Sequence, residues 1–323
     1  MMWDDLAARA RGLATHLFSA TQLDGLDTAP HLGALVETLR QQGYLGFGRD
    51  APASAFQVEK VARRRCLEDQ EIIARWAGER VARLAVVFEA EDRRSLRGIL
   101  RGIQAGLPTT ARLQSTRPSP SLSEPLLGEL ARQPSVARVA ALLALFRHPF
   151  AEPLSSAVEQ VAPEQLLELE QALSRCYAER ALRAAGRISA LRAHVKAVID
   201  LENLASALLV SPSQSEPERF FLVGGARIGR DDFLKAAALE QAAAAEALSR
   251  HFLRTPVLSA LEARQFSALD RAGLELLLGQ QRELSRHDPT GPAAVLRFLL
   301  QRQWELLRVQ HAAWRLTLTR EAA

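Results

Sequence analysis

Cysteine, lysine and aromatic residues are all scarce in this chain, and each scarcity removes a class of function. The two cysteines, Cys66 and Cys176, stand far apart in helical pattern with no CxxC, which argues against a disulfide framework or a thiolate zinc site. Such usage fits a reducing cytoplasm. Aromatics make up 6% of the residues and Lys60, Lys196 and Lys235 are the only lysines, so no basic stripe interleaved with stacking rings is available for nucleic acid. Long apolar runs are missing too. Even VARVAALLALF (136–146) falls short of the roughly 18–20 residues needed to cross a bilayer, so no membrane span is expected. The opening MMWDDLAARARGL carries acids at once and has no apolar h-region, so no secretory signal is expected either.

Catalytic signatures are equally thin. GGARIG (224–229) lacks the G-x-G-x-x-G form, and no G-x-x-x-x-G-K-[ST] occurs to cradle phosphates. His16, His31, His148, His194, His251, His287 and His311 are scattered; Glu283 and His287 share a helical face, but two ligands do not make a zinc site. No Ser or Cys nucleophile stands beside a His and an acid in a recognisable arrangement. The pairs Asp4-Asp5 and Asp231-Asp232 lack the D-D-x-x-D form of helical isoprenoid enzymes. No cofactor, metal or small-molecule substrate is therefore expected.

What is abundant is Ala, Leu, Arg, Glu and Gln, residues that lose little rotamer freedom in a helix. Hydrophobic residues make up 48% and charged residues 24%, enough for a real core under a solvated surface. The chain reads as all-α. A formal net charge of +4, carried mostly by arginines interspersed with acids, favours an acidic or anionic neighbour only mildly. Pro and Gly cluster at 43–54, 107–125, 210–229 and 286–292, and these clusters mark joints. Between them, 55–106, 164–209, 231–254 and 293–320 keep apolar residues at i, i+3, i+4 and i+7.

Self-comparison shows a long period. EDRRSLRGILRG (91–102), IDLENLASALLV (199–210) and WELLRVQHAAWR (304–315) each carry an acid, Asp92, Asp200 or Glu305. An aliphatic residue follows four positions later in each: Leu96, Leu204 or Val309. The acids are 108 and 105 residues apart. A second anchor, the turns around Tyr44, Phe150 and Val257, repeats after 106 and 107 residues and precedes the acids by 48, 50 and 48. Two anchors with one period of about 106 argue for three divergent copies, with boundaries at 1–108, 109–213 and 214–323. This period is too long for the 34- to 47-residue helical repeats. Domain-sized copies of this kind can close around a pseudo-threefold axis.

At these residues the chain resembles the C subunit of the V/A-type rotary ATPases, a family related to the d subunit of the eukaryotic V-ATPase. The likeness is carried by LAARARGLATHLFSATQLDGL with HLGALVETLRQQGY, by DRRSLRGILRG and DLENLASALL, by FFLVGGARIGRDDFLKAA, and by VLRFLLQRQWELLRVQHAAWRL. In order, these run from about residue 5 to 316. The family's acid-x-x-Asn-Leu motif keeps its Asn only at Asn203; Ser95 and Arg308 stand in the other copies. The resemblance implies a funnel of three similar helical domains on the cytoplasmic face of a membrane rotor ring. Such a funnel accepts the foot of the central stalk and binds no nucleotide. The alternatives left open are a helical scaffold or adaptor unrelated to ATPases, and a helical enzyme whose site is not visible in sequence.

Asp92, Asp200, Asn203, Glu305 and Arg308 are the candidate site residues, as packing groups or as stalk contacts. An acid one turn before a Leu stripe is expected beside that stripe, within reach of a neighbouring backbone or an Arg. The first expectation is that each acid fixes helix packing within its own unit.

Overall fold

Two glycines divide helical stretches that apolar spacing alone runs together. Gly78 and Gly186 take φ of 55° and 52°, values only glycine adopts without strain, and each ends a long helix within the expected runs 55–106 and 164–209. A computed structural model describes residues 2–47, 54–162, 165–210 and 216–321 of the chain. The joints expected at 43–54 and 210–229, and the boundary at 213, lie partly or wholly outside the described residues. Every regular element among the described residues is helical, so the fold is all-α.

In chain order the α-helices are α1 (Asp4–Ala14), α2 (Ala20–Asp27), α3 (Leu32–Gln41), α4 (Ala55–Ala77), α5 (Val81–Gln104) and α6 (Thr109–Gln114). Then come α7 (Glu124–Arg132), α8 (Val136–Leu145), α9 (Ala151–Gln160), α10 (Leu166–Ala185) and α11 (Ser189–Leu209). The last are α12 (Arg230–Ala237), α13 (Gln241–Ser249), α14 (Pro256–Glu262), α15 (Leu269–His287) and α16 (Pro292–Glu321). Their starts follow local chemistry. Ser19 and Gln22 form a reciprocal capping box on α2, and Ser54 accepts from the Gln57 amide at the start of α4.

Two compact units emerge, Met1–Glu79 with Gln281–Ala323, and Arg80–Gln280. In the first, α16 packs on α1, α2, α3 and α4, so both ends of the chain share one core. Leu35, Leu39 and Val58 meet Leu306, Val309 and Ala313 there. Full burial of each leucine or valine contributes about 2 kcal/mol. In the second, α5, α10 and α11 are the long helices. The short helices α6 and α7 pack on α5, α9 packs on α10, and α12 and α13 pack on α11.

The acids depart from expectation in one respect. Phe88, Asp92, Leu96 and Leu100 follow one another at four-residue spacing on α5, and Asp92 is 0% exposed. Asp200 and Glu305 are each 1% exposed. They lie within the buried stripes of their helices rather than beside them, because loops pack over the helices at these points and supply hydrogen-bond donors. Within the Pro- and Ser-rich stretch 107–125, read as a joint, α6 occupies 109–114 and residues 115–123 form one of these docked loops.

Candidate functional site

Each of the three acids projects from a long helix into a loop that leads to shorter helices. On α5, Asp92 accepts from the hydroxyls of Ser119 and Ser121, and His148 Nε2 lies 3.3 Å from its Oδ2. One turn on, Ser95 Oγ donates to the Arg117 carbonyl at 2.7 Å and accepts from the Arg117 amide at 2.9 Å. On α11, Asp200 accepts the amides of Ala226, Arg227 and Ile228 at 3.0–3.2 Å. Asn203 then clamps Leu222 from both sides, its amide donating to the carbonyl at 2.9 Å and its oxygen accepting from the N–H at 2.8 Å. The loop approaches so closely that a Cβ on Gly225 would stand 2.3 Å from Asp200 Oδ1.

On α16, Glu305 accepts from the Phe18 amide at 2.8 Å, from the Tyr44 hydroxyl and from Arg302. The position one turn on is Arg308, whose Nη2 donates to the Leu23 carbonyl at 3.1 Å and to Asp27 at 2.6 Å. Thus Asp200 and Asn203 hold one loop, Asp92 and Ser95 a second, and Glu305 a third, while Arg308 reaches helix α2. Contrary to expectation, each of these loops lies in a different copy, by the boundaries at 108 and 213, from the acid that holds it, because each long helix packs under a loop distant in sequence. Asp92 and Asp200 share no donor. With its oxygens turned toward N–H and O–H donors, each carboxylate is placed to fix a loop rather than to move a proton. Among the described residues, no three His, Cys, Asp or Glu side chains are grouped to hold a metal ion.

Two partners of the acids escaped the sequence reading. Gly43 and Tyr44 close α3 with the amide pattern Gly43 to Arg40 and Tyr44 to Leu39; Arg147 and His148 close α8 in the same way, to Ala144 and Leu143. The residue after the left-handed one, Tyr44 or His148, is the one that reaches an acid. The turn anchors were paired in sequence with the acid 48 or 50 residues downstream. In space Tyr44 meets Glu305 and His148 meets Asp92. The signal was present, since Tyr44 and His148 lie 104 residues apart, within the period.

A second polar cluster joins α5, α10 and α11. Glu202 receives Arg93 at 2.7 Å and Arg97 at 2.8 Å, Arg101 pairs with Glu170, and the Arg93 guanidinium lies 4.7 Å from the Tyr177 ring centre. Burial works to raise the Glu202 carboxyl, but Arg93 and Arg97 outweigh it and hold it at about 2. Nearby on α11, burial pushes His194 down to about 4, against a hydrogen bond at the Val86 carbonyl. The unfolded groups titrate at about 6.5 for His and about 4.3 for Glu. As pH falls from about 6.5 to about 4, the unfolded chain takes up a proton that folded His194 refuses, so stability falls by roughly 3 kcal/mol. Glu202 extends the loss from about 4.3 down to about 2. Thermal melts check this: His194→Gln is expected to flatten the decline between pH 6.5 and 4, and parallel declines would refute it.

Compared with known proteins, residues 6–315 match the family model described as the ATP synthase (C/AC39) subunit. The V-type ATP synthase C subunit of Thermus thermophilus, in each of two strains, is 29% identical over 181 residues. That stretch covers 55% of this chain and 54% of each relative, so the match spans about half the length of the curated relatives. No helix among the described residues is long and apolar enough to cross a membrane.

Proposed function

The chain belongs to the ATP synthase (C/AC39) subunit family, and on that premise we propose that it is a non-catalytic socket of an ion-translocating V/A-type ATPase. In this role it sits peripherally on the cytoplasmic side of the membrane, on the rotor ring, and receives the central-stalk subunits. Torque passes through it between the ATP-hydrolysing head and the ring. It binds no nucleotide and transforms no substrate. The observation that carries this reading is the family match along nearly the whole chain. The buried, donor-satisfied state of Asp92, Asp200 and Glu305 supports it, because these acids stiffen the fold instead of waiting for a ligand.

The three copies, 1–108, 109–213 and 214–323, are proposed to form similar helical domains around a pseudo-threefold axis. Three long helices each holding a loop through an acid, with a polar residue one turn later, support that repetition. A rotor part gains from such loops: a rigid body transmits torque, whereas a frayed one absorbs it. Gentle detergent solubilisation of membranes tests the role. The chain is expected to co-purify with rotor-ring and stalk subunits. Recovery only in the soluble fraction, without ATPase partners, would overturn it.

A further inference from the structure

The turns after α8 and α13 carry one five-residue pattern, Phe146-Arg147-His148-Pro149-Phe150 and Leu253-Arg254-Thr255-Pro256-Val257. The fifth residue is fully buried in both, and each proline leads toward the next helix, α9 or α14. The first is a large apolar residue left in solvent, Phe146 58% and Leu253 62% exposed, with Leu145 beside the former at 80%. The second is an exposed arginine in the left-handed region, φ 53° at Arg147 and 59° at Arg254. Any residue with a Cβ is strained there, and glycine is the usual solution.

The turn after α3 uses that solution, placing Gln42 and Gly43 at these two positions. So the fold itself demands neither the apolar side chain nor the arginine. Neither guanidinium has an ion-pair partner among the described residues. What is kept twice, at a cost in backbone strain and in hydrophobic exposure, is a fixed pairing of a greasy knob with a positive charge.

We infer that these two turns are docking knobs for the rotor ring. Each seats its apolar side chain (Phe146 with Leu145, or Leu253) and its arginine in a pocket of apolar and acidic groups on ring subunits. The inference rests on the proposed function and deepens it. Two observations select this occupant. A motif used twice fits a partner that presents one pocket repeatedly, as a ring of identical subunits does. A backbone conformation fixed at a cost suits a pocket of fixed shape, whereas a fluid anionic bilayer accepts an arginine in any local geometry. The positive charge requires acidic or carbonyl-rich counterparts in either case.

The full-length chain is titrated against the rotor ring purified in detergent from the same complex. Failure of the wild-type chain to bind would overturn the socket role itself. With wild-type binding in hand, Phe146→Ser and Leu253→Ser are each expected to weaken it about tenfold. Arg147→Gly and Arg254→Gly are expected to keep or raise Tm, by relieving the backbone, while also weakening ring binding about tenfold. Arg264 is the control: it is exposed with φ 53° after α14 but lacks an exposed large apolar neighbour. Arg264→Gly is expected to keep or raise Tm in the same way and to leave ring binding unchanged. Undiminished ring binding by the Phe146, Leu253, Arg147 and Arg254 variants would overturn the inference and leave the socket role standing. The inference fails equally if those variants lose binding only to phosphatidylglycerol vesicles.

Discussion

Asp200→Leu is expected to destabilise the Arg80–Gln280 unit by roughly 2–4 kcal/mol, the cost of stranding one buried and two part-buried amides at once. Leucine forks at the same carbon as aspartate but accepts nothing, so the amides of Ala226, Arg227 and Ile228 lose their acceptor together. Water cannot replace it easily, because Asp200 is 1% exposed and the loop lies against it at Gly225. Asn203 still holds Leu222, so the loop is expected to peel from its 224–228 end first. Calorimetry gives the loss as a lower Tm. On the proposed socket role, the variant is expected below that temperature to bind stalk subunits nearly as well as wild type. An unchanged Tm with abolished stalk binding would make Asp200 a contact residue instead.

Arg302→Leu is expected to cost the other unit a similar amount, about 3–5 kcal/mol, for the opposite electrostatic reason. Burial works against the Arg302 charge, but Glu305, Tyr44 and Asp69 outweigh it and hold the guanidinium above its ordinary pKa. Arg302 Nη2 stands 2.6 Å from Asp69, and Nη1 donates to Glu305. Removing the arginine leaves two carboxylates, each about 1% exposed, without their counter-charge. The Tyr44 hydroxyl, raised by burial and by Glu305, stays protonated and remains as a donor. Calorimetry at pH 7 reads this cost as a lower Tm. A Tm equal to that of the wild type at pH 7 would refute this account.

These two residues also show how far the sequence reaches. IDLENLASALLV shows that a polar pair interrupts an apolar helix, and residue spacing alone matches it to Asp92 and Glu305. It does not show that Glu202, within the same stretch, belongs to a different cluster with Arg93 and Arg97. All three side chains lie on helices whose relative rotation is set by packing. Arg302 carried no sequence signal at all, since one arginine among many on an amphipathic helix looks like any solvated charge until its burial is known.

By itself, the sequence determined the all-helical class, the main helical runs without their internal breaks, and the recurrence of an acid about every 106 residues. Those properties depend on propensity, capping and proline, which act over a few residues, and on spacing, which needs no third dimension. Only the tertiary structure decided which loop each acid holds. Glu305 meets Phe18 and Tyr44 across 287 and 261 residues, and His148 meets the acid 56 residues before it rather than the one after it. Partners so distant are chosen by which surfaces the core brings together, and the chain carries no local mark of that choice.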